Sequence, residues 1–318
     1  MRAVVLGGGS WGTAFSLLLR DRGHDVTLAC RDAEQAATIE ATGRNPRYLT
    51  DAHLGGIRAV PLDGAPLDEA DLVVLAVPSA AFADVARGLA GSAPVLSLTK
   101  GLDPATGSRL STLVSGRPVA VLSGPNIAEE IARGLPAAAV VASEDGDLAL
   151  RLQHEINSTV FRVYRSDDVL GVELCAAAKN VIALAAGGAD GLGLGDNAKA
   201  GLVTRGLAEL RRLADASGAR PETFAGLAGM GDLIVTCWSQ AGRNRRAGEL
   251  IARGASPAGA EAEIGMVVEG LTTAPVLREL SHRIGIELPI AEGVCAVLEG
   301  ADLGDLVGQL MRRAPTTE

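Results

Sequence analysis

The sequence predicts an α/β fold: an N-terminal doubly wound sheet over residues 1–166, then an all-helical C-terminal domain over residues 167–318. Three observations carry this expectation. Short, continuous apolar runs recur through the first half, as in strands covered on both faces. The first run leads into Gly7-Gly8-Gly9-Ser10-Trp11-Gly12 and then a helical pattern, the order found in Rossmann-type folds. Beyond a polar stretch at residues 164–168, helical patterns dominate. A chain of 318 residues accommodates two such domains, each with its own core.

Composition narrows the function classes. Hydrophobic residues make up 47% and charged residues 21%, with a net charge of −9, so general binding to nucleic acid or to an anionic membrane surface is disfavoured. Aromatic residues are only 3%, which leaves few platforms for stacking bases. Cys30, Cys175, Cys237 and Cys295 are far apart and form no Cys-x-x-Cys, so they read as buried free thiols in a reducing compartment. The four histidines show no metal-ligand spacing, and no metal is expected. The chain begins with a strand pattern rather than a signal peptide. No uncharged apolar run reaches the ~18 residues of a membrane span. A soluble, cytoplasmic protein without membrane insertion is expected.

In chain order, residues 2–6 read as the first strand. Gly7 allows a tight turn, Gly9 lets the backbone approach a pyrophosphate, and Gly12 lets helix and strand pack closely. Free N–H groups at the start of the next helix, residues 13–22, would hold the pyrophosphate. Residues 25–30 form the second strand. Where NAD binders place an acidic residue for the ribose, this chain has Arg31, which suits the 2′-phosphate of NADP; Asp32 follows directly and keeps NAD open. Further runs at 72–77, 94–97, 119–122 and 137–142 read as strands, and several end in small or polar residues. Ligands of parallel sheets bind at such carboxyl ends, which places Lys100 to meet an anionic or polar substrate. Tyr48, in the loop at 45–49, is a weaker candidate for the cofactor site.

The second half is organised around residues 172–186. They are rich in Ala and Leu, lack Gly and Pro until Gly187, and read as a helix with Ser166, Asp167 or Asp168 as its cap. Its faces are apolar almost all round, so the helix should be buried. Lys179 and Asn180 then lie inside the protein. Burial disfavours an ammonium and makes a lysine a candidate proton carrier; snorkelling or pairing with Glu173 is the alternative. A Gly-rich turn follows at 187–197, then a helix over about 196–217 with Gly218 as its C-cap. Asp232 either caps a helix or pairs with Lys179. Gly242-Arg243-Asn244-Arg245-Arg246 opens another helix and concentrates positive charge in an acidic protein, so it is a candidate phosphate site or a solvated basic turn. Glu269 starts a further helix within reach of a ribose or nicotinamide.

Together these stretches resemble the bacterial-type NAD(P)-dependent glycerol-3-phosphate dehydrogenases. The resemblance rests on the Gly7–Gly12 turn, Leu98-Thr99-Lys100-Gly101, Ser123-Gly124-Pro125, Glu173 with Lys179-Asn180, the 191–197 turn, Gly229-Met230-Gly231-Asp232-Leu233, Arg243-Asn244 and Val268-Glu269-Gly270. Two positions depart from the family pattern. Gly242 stands where a Ser is usual, and Asn126 where a Ser or Thr is usual.

The resemblance implies that Ser10, Trp11, Arg31 and Tyr48 hold NADP or NAD, with help from Lys100, Ala128, Arg243, Val267 and Glu269. It implies that Lys100, Gly124 and Asn126 contact a phosphorylated triose, with Gly242, Arg243 and Asn244 at its phosphate. Lys179 would exchange the C2 proton, oriented by Asp232 and accompanied by Asn180, while hydride moves to or from nicotinamide C4. The implied role is glycerol 3-phosphate supply for phospholipids, by a homodimer. A β-hydroxyacid dehydrogenase of similar build, or a catalytically silent dinucleotide sensor, is the alternative.

Overall fold

The computed structural model describes the backbone of residues 1–311 and side chains through residue 308; the polar tail at 315–318 lies outside the described residues. The chain divides into two compact units, residues 1–176 with 219–232, and residues 177–218 with 233–318.

The first unit is built on one eight-stranded sheet of order β3-β2-β1-β4-β5-β6-β7-β8. Its strands are β1 (Arg2–Leu6), β2 (Asp25–Cys30), β3 (Ile57–Pro61), β4 (Leu72–Leu75), β5 (Val95–Ser97), β6 (Val119–Ser123), β7 (Ala137–Ala142) and β8 (Phe161–Ser166). All neighbours are parallel except β6 and β7. Helices α1 (Ser10–Asp21), α2 (Ala33–Thr42), α3 (Ser79–Arg87), α4 (Ala128–Ala132) and α5 (Gly146–Ile156) connect them.

The strand alternation assigns the layers. Ala3 and Val5 of β1 bury with Phe15 and Leu19 of α1, Ile39 of α2 and Leu152 of α5. Val4 and Leu6 point the other way and bury with Phe82 of α3 and Leu110. Successive side chains of a strand face opposite sides, so a continuous apolar run is what two helical layers require. Far along the sheet, Val121 and Ala142 are covered by Val169, Val172 and Ala228. This accounts for the return of residues 219–232 to the first unit.

The sequence expectation placed a domain boundary between residues 166 and 167, where β8 ends. The compact units part later, inside α6 (Val169–Gly191). Asp168 caps this helix by accepting the Gly171 N–H at 2.9 Å. By length and composition α6 could cross a membrane, but 89% of its apolar stretch is buried inside the protein. One expectation needs correction: the helix does not stop at Gly187. A Cβ at Gly187 would lie 1.8 Å from the Arg245 carbonyl oxygen, so glycine is there for close approach and the helix runs on through it.

The second unit continues with α7 (Gly195–Ser217), and the chain then passes through α8 (Pro221–Ala225) of the first unit. A wide turn at Leu227–Gly231, closed by the Gly231 N–H on the Gly226 carbonyl at 3.1 Å, leads into α9 (Asp232–Trp238). Then come α10 (Arg243–Ala252), α11 (Pro257–Ile264), α12 (Glu269–Ile284), α13 (Pro289–Leu298) and α14 (Leu303–Met311). The described residues of the second unit form helices joined by short turns, with no strand among them. Gly218 ends α7 in the left-handed conformation, with its N–H on the Ala214 carbonyl.

Candidate functional site

The glycine turn between β1 and α1 has the shape its residues demand. Gly7 adopts φ +123°, and a Cβ there would lie 2.3 Å from the Ala76 carbonyl oxygen. A Cβ at Gly12 would lie 1.9 Å from the Gly7 oxygen, so both positions exclude a side chain. At Gly9 nothing lies within 4 Å of the same point. Gly9 is also the N-cap of α1, with no side-chain cap and no acidic residue in the first turn. Open space beside uncapped N–H groups fits a bound pyrophosphate. Ser10 and Trp11 begin α1; Trp11 stacks edge-on against Phe15 at 5.6 Å, and its buried indole N–H has no partner.

What holds this turn from outside carries no local sign in the sequence. The Gly8 carbonyl accepts from Gln35 Nε2 at 2.7 Å and from Asn45 Nδ2 at 3.0 Å. Asn45 is buried, also donates to Thr13 Oγ1, and its Oδ1 accepts the backbone N–H of Tyr48. The loop carrying half-buried Tyr48 is thereby pinned to the glycine turn. Arg31 is exposed at the end of β2, whereas the Asp32 carboxylate caps α2 through the Glu34 and Gln35 N–H groups.

Lys100, beyond the end of β5, donates to Asp232 Oδ2 at 2.7 Å and to the Gly124 carbonyl at 3.1 Å. The Asp232 side chain is only 2% exposed and that of Lys100 16%; Ser123 Oγ also donates to Asp232, at 3.3 Å. A buried carboxylate with a cation and a hydroxyl is the arrangement that makes its burial tolerable. Gly124 has φ +150°, and a Cβ there would lie 2.8 Å from the Ala138 carbonyl oxygen. Asn126 donates to that same carbonyl at 3.0 Å, which leaves its buried Oδ1 without a partner and free to accept from a ligand. Ala128 opens α4 and packs in the core.

Glu173 pairs away from Lys179. It accepts from Ser111 N and Oγ at 2.8 and 2.6 Å and from Arg109 at 3.2 Å. Burial pushes its carboxyl above the usual range, and the Ser111 and Arg109 bonds only partly offset that.

In the second unit Lys179 is 4% exposed. Its Nζ donates to Thr236 Oγ1 on α9 at 2.9 Å, so it stays inside rather than snorkelling to the edge. The next residue, Asn180, accepts from Asn244 Nδ2 at 3.0 Å, and Asn244 Oδ1 accepts the Gly270 N–H at 2.8 Å. One amide thus joins α6, α10 and the start of α12. Arg243, the exposed first residue of α10, donates to the carbonyl of Val267, itself 40% exposed. Gly242 is the N-cap of α10 and lacks a side-chain cap. Glu269 begins α12.

The basic cluster is not uniform. Arg245 turns inward onto Asp190 and Glu249, while Arg246 is exposed and reaches Glu263. Thr236, Asn45, Gln35 and Asp190 were not selected from sequence. Thr236 lies four residues beyond Asp232, one helical turn, and that spacing was the available signal. Among the described residues no group of three or more His, Cys, Asp or Glu side chains could hold a metal ion.

Comparison with known proteins gives the family. The model for the N-terminus of NAD-dependent glycerol-3-phosphate dehydrogenase matches residues 2–149, and that for its C-terminus matches residues 168–306. A glycerol-3-phosphate dehydrogenase [NAD(P)+] of Moorella thermoacetica is 47% identical, covering 99% of this chain and 97% of its own. The crystal structure of glycerol-3-phosphate dehydrogenase from Coxiella burnetii superimposes with a TM-score of 0.94 at 36% identity, covering 98% of this chain and 99% of that one. A ketopantoate reductase from Ralstonia eutropha, 20% identical, shares the fold with a TM-score of 0.63 over 94% of this chain and 97% of its own. On these matches, which run through both halves of the sequence, the chain belongs to the NAD-dependent glycerol-3-phosphate dehydrogenase family.

Proposed function

We infer that this protein is an NAD(P)-dependent sn-glycerol-3-phosphate dehydrogenase, an oxidoreductase acting on a CH–OH group that interconverts dihydroxyacetone phosphate and sn-glycerol 3-phosphate. The observation that carries the reading is Lys179, a cation on an apolar helix with its ammonium on Thr236, in a chain matched over nearly its whole length by proteins of that name. Nothing about packing requires an ammonium at this place, and burying one is costly. A proton carrier gives it a purpose.

The bound nicotinamide supplies or accepts the hydride. Lys179 takes the C2 hydroxyl proton in oxidation and returns it to the carbonyl in reduction, as general base and acid. Asn180 fixes the adjoining part of α6 through Asn244. Lys100, held by Asp232 and Gly124, presents positive charge to the substrate oxygens; Asp232 thereby acts on the orientation of the charged groups. Asn126 offers its unpartnered Oδ1 to a substrate hydroxyl. Arg243 and Asn244, at the start of α10, take the phosphate, aided by the free N–H groups there. Gly7, Gly9, Gly12, Ser10 and Trp11 hold the dinucleotide, with Tyr48, Ala128, Val267 and Glu269 along it.

NADP is the favoured cofactor on this reading. Arg31 is exposed where the ribose phosphate would lie, and Asp32 is already engaged as a cap. The protein works in the cytoplasm as a homodimer, supplying glycerol 3-phosphate for phospholipid synthesis.

The test follows nicotinamide absorbance with dihydroxyacetone phosphate, using NADPH and NADH side by side. Oxidation of the reduced cofactor is expected, faster with NADPH. Arg31→Ala should raise the KM for NADPH about tenfold, the loss of ~1.4 kcal/mol from one charge-assisted contact, and leave NADH nearly unchanged. A protein that binds both cofactors and oxidises neither refutes the substrate assignment and directs attention to hydroxyacids.

A further inference from the structure

We propose that Asp190, Arg245 and Lys199 are positioning residues that fix α10 against α6 and so set the distance between the phosphate-binding residues and the proton carrier. This rests on the function proposed above. Asp190 Oδ2, near the end of α6, accepts from Arg245 Nη1 at 2.7 Å and from Lys199 Nζ at 2.8 Å. The Arg245 side chain is 5% exposed and spends its whole fork nearby. Its Nε donates to the Ser239 carbonyl at 3.1 Å, Nη2 to Gln240 Oε1 at 3.1 Å, and Nη1 also to Glu249 at 3.1 Å. Ser239 and Gln240 belong to the short turn between α9 and α10, which closes with the Gly242 N–H on the Ser239 carbonyl at 3.0 Å. Arg243 and Asn244 follow at once. Lys199 brings α7 into the cluster and lies 5.2 Å from the centre of the Trp238 ring at the end of α9.

The backbones touch between these points. A Cβ at Gly187 would lie 1.8 Å from the Arg245 carbonyl oxygen, and one at Gly248 1.9 Å from that of Leu184. At such approach the helices cannot slide past one another without a clash. The Asn244–Asn180 bond and the Arg245–Asp190 pair then fasten adjacent residues of α10 to points ten residues apart on α6. Lys179 is fixed to one of them by the chain itself. A substrate whose phosphate and reacting carbon are a set number of bonds apart needs such a spacing, because an ångström of misplacement costs about 10²-fold. Arg245 thus leaves the basic cluster to serve as its anchor, and Arg243 remains to meet the phosphate.

The experiment uses the full chain with Asp190→Asn, and Gln240→Ala as a milder variant at an exposed residue. The kcat/KM for dihydroxyacetone phosphate should fall about tenfold or more in Asp190→Asn, through KM, and two- to fivefold in Gln240→Ala. The slow reduction of unphosphorylated dihydroxyacetone should stay within twofold of wild type, and the inhibition constant of inorganic phosphate should rise in step with KM. Arg245→Lys, which keeps the charge but not the fork, should resemble Asp190→Asn. An equal fall for both substrates, or an unchanged KM in both variants, overturns the proposal. If the wild-type protein itself leaves dihydroxyacetone phosphate unreduced, the underlying functional reading fails instead.

Discussion

Replacing Lys179 by Met separates what this residue does for chemistry from what it does for folding. Methionine is unbranched and close to lysine in length, so it fills the same volume on α6 while removing the ammonium. The environment favours the exchange: Lys179 is 4% exposed, and its helical neighbours Cys175, Ala176, Val181, Ile182 and Ala183 are buried apolar residues. Losing a hydrogen bond from a charged group to Thr236 Oγ1 costs about 1.5–3 kcal/mol. Removing the desolvation penalty of a buried ammonium returns a comparable amount. The net change in stability should stay within about 2 kcal/mol of zero. Turnover has no such compensation. General acid–base catalysis contributes about 10²–10⁴-fold, so kcat should fall by at least two orders of magnitude, or about 2.7 kcal/mol of barrier, with NADPH affinity unchanged. The assays are urea denaturation, NADPH fluorescence titration and the absorbance assay with dihydroxyacetone phosphate. A folded Lys179→Met protein that retains more than a tenth of wild-type kcat would refute the assignment of Lys179 as proton carrier.

Gly12→Ala must displace the Gly7 carbonyl, so it should lower stability by about 1–3 kcal/mol and abolish cofactor binding; Gly9→Ala meets open space and should weaken NADPH binding with Tm unchanged. Equal effects of the two on Tm would contradict the different roles given to these glycines. Glu173 has its carboxyl raised by burial, so its contribution to stability is fully present below its unfolded value and is lost as pH rises through the folded one. The urea midpoint of Glu173→Gln relative to wild type should therefore improve between pH 4.5 and pH 7, and a constant difference would show that the carboxyl titrates normally. Gly242→Ser restores the hydroxyl usual in the family at a site with ordinary φ of −68°. Its Cβ would sit 3.0 Å from the Thr236 carbonyl oxygen, a contact relieved by a shift of a few tenths of an ångström. One added hydrogen bond is worth ~0.5–1.5 kcal/mol, so the KM for dihydroxyacetone phosphate should drop two- to tenfold; an unchanged KM would mean that the hydroxyl does not reach the substrate.

The parts of the fold legible in sequence were those whose burial is symmetric. Strands β1, β2, β4, β5, β6 and β7 read as continuous apolar runs because helices or the residue 219–232 segment cover both faces. The two edge strands escaped notice. Phe161-Arg162-Val163-Tyr164 alternates buried apolar with exposed residues, as an edge strand facing water on one side does, whereas Ile57-Arg58-Ala59-Val60-Pro61 is a short apolar run broken by exposed Arg58 and ended by Pro61. The Phe161–Ser166 strand runs into the polar stretch at 164–168, which hides it. The end of α6 is hidden for a related reason. Gly187 and Gly188 look like a stop signal from propensity alone, but propensity is a weak prior beside a packed helix that requires the absence of a side chain.

Within the site, legibility followed the distance over which a residue acts. Gly9 and Gly12 do their work on their own turn, Gly7 shares that turn although it also makes room for the Ala76 carbonyl, and Lys179 betrays itself through its immediate apolar neighbours. Such residues can be read from a window of ten. Asn45 acts on Gly8, Glu173 on Ser111, and Arg245 on Asp190, each tens of residues away. A lone Asn in a loop, or a Glu six residues before a Lys, carries no local sign of such a partner. Arg245 shows the limit most plainly. Arg243, Arg245 and Arg246 have the same chemistry and nearly the same address, but successive residues of a helix point about 100° apart. One therefore faces solvent at the helix start, the next but one faces the core, and the third faces out again. A run of like charges at a helix start thus divides into ligand-facing and structural members by angle alone. The structural member is the one whose removal should alter phosphate recognition without ever touching phosphate.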